Sequence, residues 1–341
     1  MATVDVIVRT KDRPLFLERA LRSIAGQSYA DWRAVVVNDG GDPAVLREVL
    51  DRFDLGDRVH VIEHEESRGR WPSANAGVDA ADAPFLVLHD DDDSWHPDFL
   101  REAVAHLETH DDQVGVVSRI EIVWETFDGT AFTEDGRELF QPQLTAPMLA
   151  DLLLFNRFVP IGFLYRRELH EVLGPYREDL AVVGDWEFNL RVLTRWPLEY
   201  LGDEPLAYWH QRPSSTGVDG NSVVAEERNH LHYDRWIRDA RLREHVQREG
   251  AGDLLYLTKF VDQRFWDIEH HLDDEVRRLA ERVEQQADER QRALEERVEQ
   301  LAARQLEALE DVRHRVVWVA ERGSFWAELK ARTRRLRRGR S

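Results

Sequence analysis

The sequence predicts an α/β fold, a mostly parallel sheet flanked by helices and followed by a long helical, coiled-coil-like extension. Three observations predict it. Through the first hundred residues, short β-branched runs alternate with amphipathic helical segments, the pattern of parallel strands joined by helical crossovers. After residue 125 that alternation gives way to turn signals and an irregular or hairpin section. From about residue 223 strand signals fade and apolar residues recur at steps of three and four, the spacing of a helix face.

Taken in order, "VDVIV" reads as a buried strand, since apolar residues without alternation suit a strand covered on both faces. The following "RPLFLERALRSIAGQ" sets Leu17, Ala20, Leu21 and Ile24 on one helix face, with Pro14 suited to the first turn. The step repeats as "RAVVV" then "PAVLREVLDRF", "RVHVI" then "PSANAGVDAAD", and "FLVLH" then "PDFLREAVAHLETH". "VGVVSRIEIVWE" reads as a further strand, and Asp128-Gly129 and Asp135-Gly136 as turns. Helices are expected at "APMLADLLL" and "DWEFNLRVLTRW", and a strand at "LEYLGDEPLAYWH" before the loop "QRPSSTG". Farther on, Leu272, Val276, Leu279 and Val283 step by 4, 3 and 4, as Leu294, Val298 and Leu301 do by 4 and 3, and Leu309, Val312, Val316 and Val319 by 3, 4 and 3. The intervals between these runs are 11 and 8 residues, so the seam is a coiled-coil pattern broken by stutters. The expected division is an α/β domain over residues 1–222, a helical extension over 223–321 and a basic amphipathic tail over 322–341.

Composition narrows the function. The chain has 341 residues, 42% of them hydrophobic, with 14 Phe and 11 Trp, enough to build a large core. It has no cysteine, which removes disulfides, thiolate zinc sites and cysteine nucleophiles. A formal charge of −20 argues against nucleic acid as a partner. The tail differs: from Arg322 to Ser341 there are eight Lys/Arg against one Glu, interleaved with Phe325, Trp326, Leu329 and Leu336. That composition fits an anionic membrane surface. Neither a leader-like N-terminus nor an apolar run of about 18 residues is present, so the expected location is cytoplasmic, peripheral at the inner face of the cell membrane.

The chemistry gathers at strand ends. Asp39 closes "AVVVND", and Asp90, Asp91, Asp92 and Asp93 follow "FLVLH" directly. Ligands of open α/β sheets bind outside the carboxyl ends of the strands. Four adjacent carboxylates repel one another, so water around a loop or a bound cation is expected to compensate; a helix N-cap at Asp93 or Ser94 is the structural alternative. Hard oxygen ligands suit Mg2+ or Mn2+.

Four pieces in order resemble a family 2 glycosyltransferase of the GT-A fold over the first ~210 residues: "VIVRTKDRPLFLERALRSIAGQSY", "VVVNDGG", "HDDDDSWHPDF" and "GDWEFNLRV". The resemblance implies a nucleotide-diphosphate sugar donor, contacted by Thr10, Arg13, Asp39, Asn75, Asp90 and Asp91, with Asp39 accepting a hydrogen bond from the base. Gly69 and Gly77 fall in the matching segment "SRGRWPSANAG". Ala74 stands where a basic residue is usual, leaving Arg68 or Arg70 to meet the diphosphate. Aligning Trp95 with the family's aromatic makes Asp90-Asp91-Asp92 the D-x-D, with Asp92 the metal ligand, Asp93 a further acid, and His210 in the region of a third ligand or phosphate contact; a satisfied structural histidine is the other reading.

The resemblance also makes Asp185 the general base that deprotonates an acceptor hydroxyl, with inversion at the sugar. Glu187 ranks second, because Gly184 replaces the Glu more often found before the Asp. "FNRFVPIGFLYRREL", which includes Arg157, is expected on the acceptor side. The implied product is a cell-surface polysaccharide or glycolipid, the acceptor a glycan or lipid-linked sugar, and the extension the means of homo-oligomerisation.

Two other readings exist. A nucleotidyltransferase would want a Gly-rich basic loop after the first strand, and "RTKDRPLF" has no glycine. A non-catalytic nucleotide-sugar-binding or scaffold subunit acting through its C-terminal helix would not need Asp39, Asp90, Asp92 and Asp185 together.

Overall fold

The computed structural model describes residues 2–213 and 227–338, with the side chains of Glu227, Phe325 and residues 334–338 left aside. The loop expected after Arg212, from residue 214 on, lies outside the described residues, as do the side chains of the last eight residues of the basic tail. Contacts divide the chain into two compact units, Met1–Arg248 and Glu249–Ser341.

The first unit is built as its hydrophobic pattern dictates. β1 (Val4–Thr10), β2 (Trp32–Asp39), β3 (Val59–His64) and β4 (Phe85–Asp90) alternate with α1 (Pro14–Ala25), α2 (Pro43–Leu50) and α3 (Arg70–Ala80). These four strands are parallel in the order β3-β2-β1-β4. The rest of the sheet is mixed. β5 (Ser94–Trp95), β6 (Gly115–Phe127), β7 (Phe132–Leu139), β8 (Phe163–Arg166) and β9 (Tyr200–Gln211) complete nine strands, with α4 (Phe99–Thr109), α5 (Leu149–Leu152), α6 (Leu169–Leu173) and α7 (Gly184–Leu193) between them. β4 and β8 pair antiparallel, whereas β6 and β9 run parallel.

Register sets the working edge. Thr10 lies opposite Asn38 across β1 and β2, and Arg9 opposite Asp90 across β1 and β4, so three strands end level and present their last residues together. Gly77 lets α3 lie close on that sheet, since a Cβ there would come 2.4 Å from Ile7 Cγ2.

Two expectations change. Asp135-Gly136 is no turn but part of β7, opposite the register shift between Trp124 and Glu125, so the β6–β7 hairpin turns only once, near Asp128-Gly129. The helix expected through "APMLADLLL" shrinks to Leu149–Leu152. By contacts α8 (Glu227–Glu249) belongs with the first unit: Ile237 is buried in its core, Arg238 Nη1 donates to Leu153 O at 2.6 Å and Arg241 Nη2 to Glu187 Oε1 at 2.9 Å.

The second unit is dominated by α9 (Gly252–Arg338), 87 residues long, about 130 Å at 1.5 Å per residue. Its seam residues Leu272, Val276, Leu279, Val283, Leu294 and Val298 are all more than half exposed. Among the described residues no helix is long and apolar enough to cross a membrane.

Candidate active site

The acidic run after β4 is neither a solvated loop nor a helix cap. Asp91, Asp92 and Asp93 are buried, and α4 starts only at Phe99. Arginines from distant segments compensate the charge. Arg9 pairs with Asp90. Arg13 grips both oxygens of Asp91, Nε to Oδ2 at 3.1 Å, while Thr10 Oγ1 donates to Oδ2 at 2.8 Å. Arg212, fully buried, donates to Asp92 Oδ2 at 2.5 Å and to Glu125 Oε1 at 2.6 Å. Arg19 adds a forked contact to Glu125 at 2.7 and 3.0 Å.

The three buried carboxyls answer differently. Burial raises the pKa of Asp92, but Arg13, Arg212 and Arg19 outweigh it and hold it at about 2. For Asp91 burial prevails over the pull of Arg13, with the charge of Asp92 adding to the rise. Asp93 is pushed well up, by burial first and then by Asp92 and Asp90. It accepts the His210 backbone N–H at 3.0 Å. The charge conflict raised by "DDDD" is thus met by the guanidinium groups of Arg9, Arg13, Arg19 and Arg212 and by burial that raises the pKa of Asp91 and Asp93.

Asp39 sits at the end of β2 with every lone pair used. Oδ1 meets His64 Nδ1 at 3.0 Å and the Arg68 backbone N–H at 2.8 Å; Oδ2 accepts from Ser67 Oγ at 2.7 Å and the Gly69 N–H at 3.0 Å. Burial alone would raise its pKa, yet these bonds, His64 first, hold it far below the usual carboxylate range. The carboxylate therefore also fixes the loop before α3. Arg68 enters that loop by its backbone, and its side chain is exposed. Asn75 points elsewhere: Nδ2 donates to Tyr176 O and Glu178 Oε1, both at 2.9 Å, and Oδ1 accepts the Tyr176 N–H at 2.9 Å. It clasps the segment leading to α7. Ala74 is fully buried, which leaves no room for the basic side chain usual in the family.

His210 has both ring nitrogens engaged, Nε2 with Ser94 Oγ at 2.7 Å and Nδ1 with Glu125 Oε2 at 2.9 Å. Burial lowers its pKa. This is the satisfied histidine of the alternative reading, and it would have to release a partner to bind a cation. Among the described residues no group of three His, Asp or Glu is placed to hold a metal. Mg2+ asks less of a protein, taking one or two carboxylates and completing its shell with water and phosphate oxygens. Asp90, with a third of its side chain exposed, and Asp92 fit that donor set.

Asp185 lies in the first turn of α7 under a different regime. Oδ2 accepts from Asn156 Nδ2 at 2.8 Å. Burial raises its pKa, the Trp186 backbone N–H opposes, and the nearby charge of Asp90 adds to the rise. The backbone before it is strained: Val183 has φ 57°, a left-handed conformation rare for a β-branched residue. Gly184 is required, because a Cβ there would lie 2.5 Å from Trp71 Cε2. That contact explains why no Glu precedes the Asp. Glu187 is buried between Arg191 and Arg241, at 2.9 Å from each, and so anchors α8.

Asp185 opens onto a cavity of about 650 Å³ lined by Phe140, Phe155, Val159, Trp186, Trp209 and, from α8, Leu231. Phe155, Asn156 and Val159 come from the segment expected on the acceptor side, whereas Phe158, Phe163 and Tyr165 of that segment are core. Arg157 braces it, donating to Asp151 O at 3.1 Å and to Gln141 Oε1 at 2.7 Å. Sequence reasoning did not single out Glu125, Asn156 or the α8 roof. An acid inside the strand "IEIVWE" was the available signal for Glu125, since buried acids need partners.

The profile described as Glycosyl transferase family 2 matches residues 5–174. An uncharacterized glycosyltransferase, YwdF, of Bacillus subtilis is 32% identical over 190 residues, 55% of this chain and 67% of the relative. A PGL/p-HBAD biosynthesis glycosyltransferase of Mycobacterium bovis is 29% identical over 192 residues, 55% and 68% of the two chains. Among solved structures, S. aureus TarS 1-349 in complex with UDP is 21% identical with a TM-score of 0.49, covering 62% of this chain and 61% of that one. The chain belongs to glycosyl transferase family 2.

Proposed function

We propose that this glycosyltransferase is a metal-assisted, inverting enzyme that moves a sugar from a nucleoside-diphosphate donor to an acceptor hydroxyl in glycolipid or cell-surface polysaccharide synthesis. The observation that carries the reading is Asp185: a carboxylate of raised pKa, at the mouth of a cavity, near the acids that end β4. A raised pKa makes it a better base for a sugar hydroxyl. Asp185 takes the hydroxyl proton as the oxygen bonds to the anomeric carbon, and attack opposite the leaving diphosphate inverts that centre. Asp90 and Asp92 would hold Mn2+ or Mg2+, which when bound offsets charge on the diphosphate. Thr10, Arg13 and Asp91 set the floor beneath the donor, and Asp39 would have to give up one of its four present partners to accept a hydrogen bond from the base.

A panel of nucleotide sugars tested for hydrolysis and thermal shift, with and without Mn2+, checks this reading. One donor is expected to be hydrolysed and to raise Tm more with the ion. A panel in which no nucleotide shifts Tm rejects it.

The second unit supports two further roles. The exposed seam of α9 suits a second copy of the chain, and the basic tail an anionic membrane, where paired weak anchors would act together. The intact chain is expected to co-sediment with anionic but not neutral vesicles, less so in high salt, and deletion after Arg322 to abolish this. Equal sedimentation of both forms rejects the membrane role.

A further inference from the structure

We infer that the cavity beside Asp185 takes an acceptor whose hydroxyl is attached to an apolar body, an alkyl or aryl aglycone, in preference to a free sugar or a bare polysaccharide end. The inference rests on reading Asp185 as the base. At about 650 Å³ the cavity has the size of sites that enclose a whole small molecule. Its walls are mainly Phe140, Phe155, Val159, Val183 and Trp209, roofed by Leu231. Arg228 and His230 are polar members on the α8 side.

Several polar groups on the lining are already engaged. Asn156 donates to Asp185 at 2.8 Å and accepts from Asn189 at 3.2 Å. The indole N–H of Trp186 donates to Leu152 O at 2.6 Å, away from the cavity. Asp234 is held by Arg238 at 2.9 and 3.0 Å. A buried pyranose needs a partner for nearly every hydroxyl, and an unpartnered hydroxyl is costly. An apolar body asks for none and gains from the burial.

Exposed apolar residues continue along the chain before the lining segment. Phe155 is 44% exposed and Leu231 63%. Met148, Leu153 and Leu154, which precede Phe155 in the chain, are more than half exposed as well. An aglycone longer than the cavity would have these apolar residues to follow.

The test is equilibrium binding of three probes to the intact chain: octyl glucoside below its micellar concentration, phenyl glucoside, and glucose. At least one of the two glucosides is expected to bind about tenfold tighter than glucose or better, the effect of burying one sizeable apolar group. The arm that binds tighter tells an alkyl from an aryl aglycone. In a chain carrying both Phe155→Ser and Leu231→Ser the advantage is expected to vanish; both residues are exposed, so the fold stands. Glucose binding as well as both glucosides, or an advantage that survives the double substitution, overturns the inference. Titration with nucleoside diphosphates in the same preparations separates the two readings. If none binds while the glucosides do, the transferase reading fails and the apolar pocket stands.

Discussion

Asp92, after β4, and Asp185, in the first turn of α7, are held in opposite ways, although the charge of Asp90 beside Asp92 reaches Asp185 as well. Asp92 is surrounded by guanidinium groups, which keep its pKa at about 2 despite burial. Asp185 is held by a neutral amide, Asn156, and burial pushes it up. The first arrangement fixes negative charge where, on the proposed function, a cation would be held. The second leaves a carboxylate with appetite for a proton. Their pH signatures therefore oppose. A carboxyl lowered by folding stabilises the fold above its unfolded pKa, about 3.9 for Asp, and that contribution is lost as pH falls through about 2 for Asp92. A carboxyl raised by folding disfavours the fold once ionised, and acidification relieves that penalty.

The comparison breaks most visibly at Arg212, which is fully buried against Asp92 and Glu125. Removing one member of a buried ion network leaves charge uncompensated, at about 3–5 kcal/mol. Arg212→Ala is expected to lose that much in urea unfolding, whereas Asn156→Ala, which removes a neutral partner of Asp185, should lose about 1 kcal/mol. Equal losses would mean that the two carboxylates are held alike.

What the sequence made legible follows from locality. The β-α alternation, the acids at strand ends and the helical phase of α9 each repeat over a few residues, and the structure has them where the pattern expects them. The compensation of the acids was not legible. Arg212 and Asp92 are 120 residues apart, Arg19 and Glu125 106, and no local pattern joins such pairs. Gly184 appeared only as a departure from the family, and Arg9 only as part of the first loop. Both acquire reasons in three dimensions: Arg9 neutralises Asp90, and Gly184 makes way for Trp71. The roof over the cavity was hidden because α8 reads as part of one helical run, while Ile237, Arg238 and Arg241 bind it to the first unit.

The remaining prediction sharpens the comparison from its other side. Asp185→Asn keeps the shape and the bond to Asn156 within reach but cannot take a proton. Transfer is expected to fall at least about a hundredfold, the lower range for losing a general base and about 2.7 kcal/mol in barrier at 1.36 kcal/mol per tenfold. Donor affinity should stay near that of the parent chain, since Asp185 lies apart from Thr10, Arg13 and Asp39. The same carboxyl sets the pH profile. Transfer requires its ionised form, and its pKa is raised by burial, so the acid limb of kcat should lie above the range of an ordinary aspartate. Asp185→Asn should remove that limb along with the activity it governs. A variant that turned over normally would return the proton to another group, and an unchanged limb in the residual activity would say that the limb belongs to the arginine-bound acids instead.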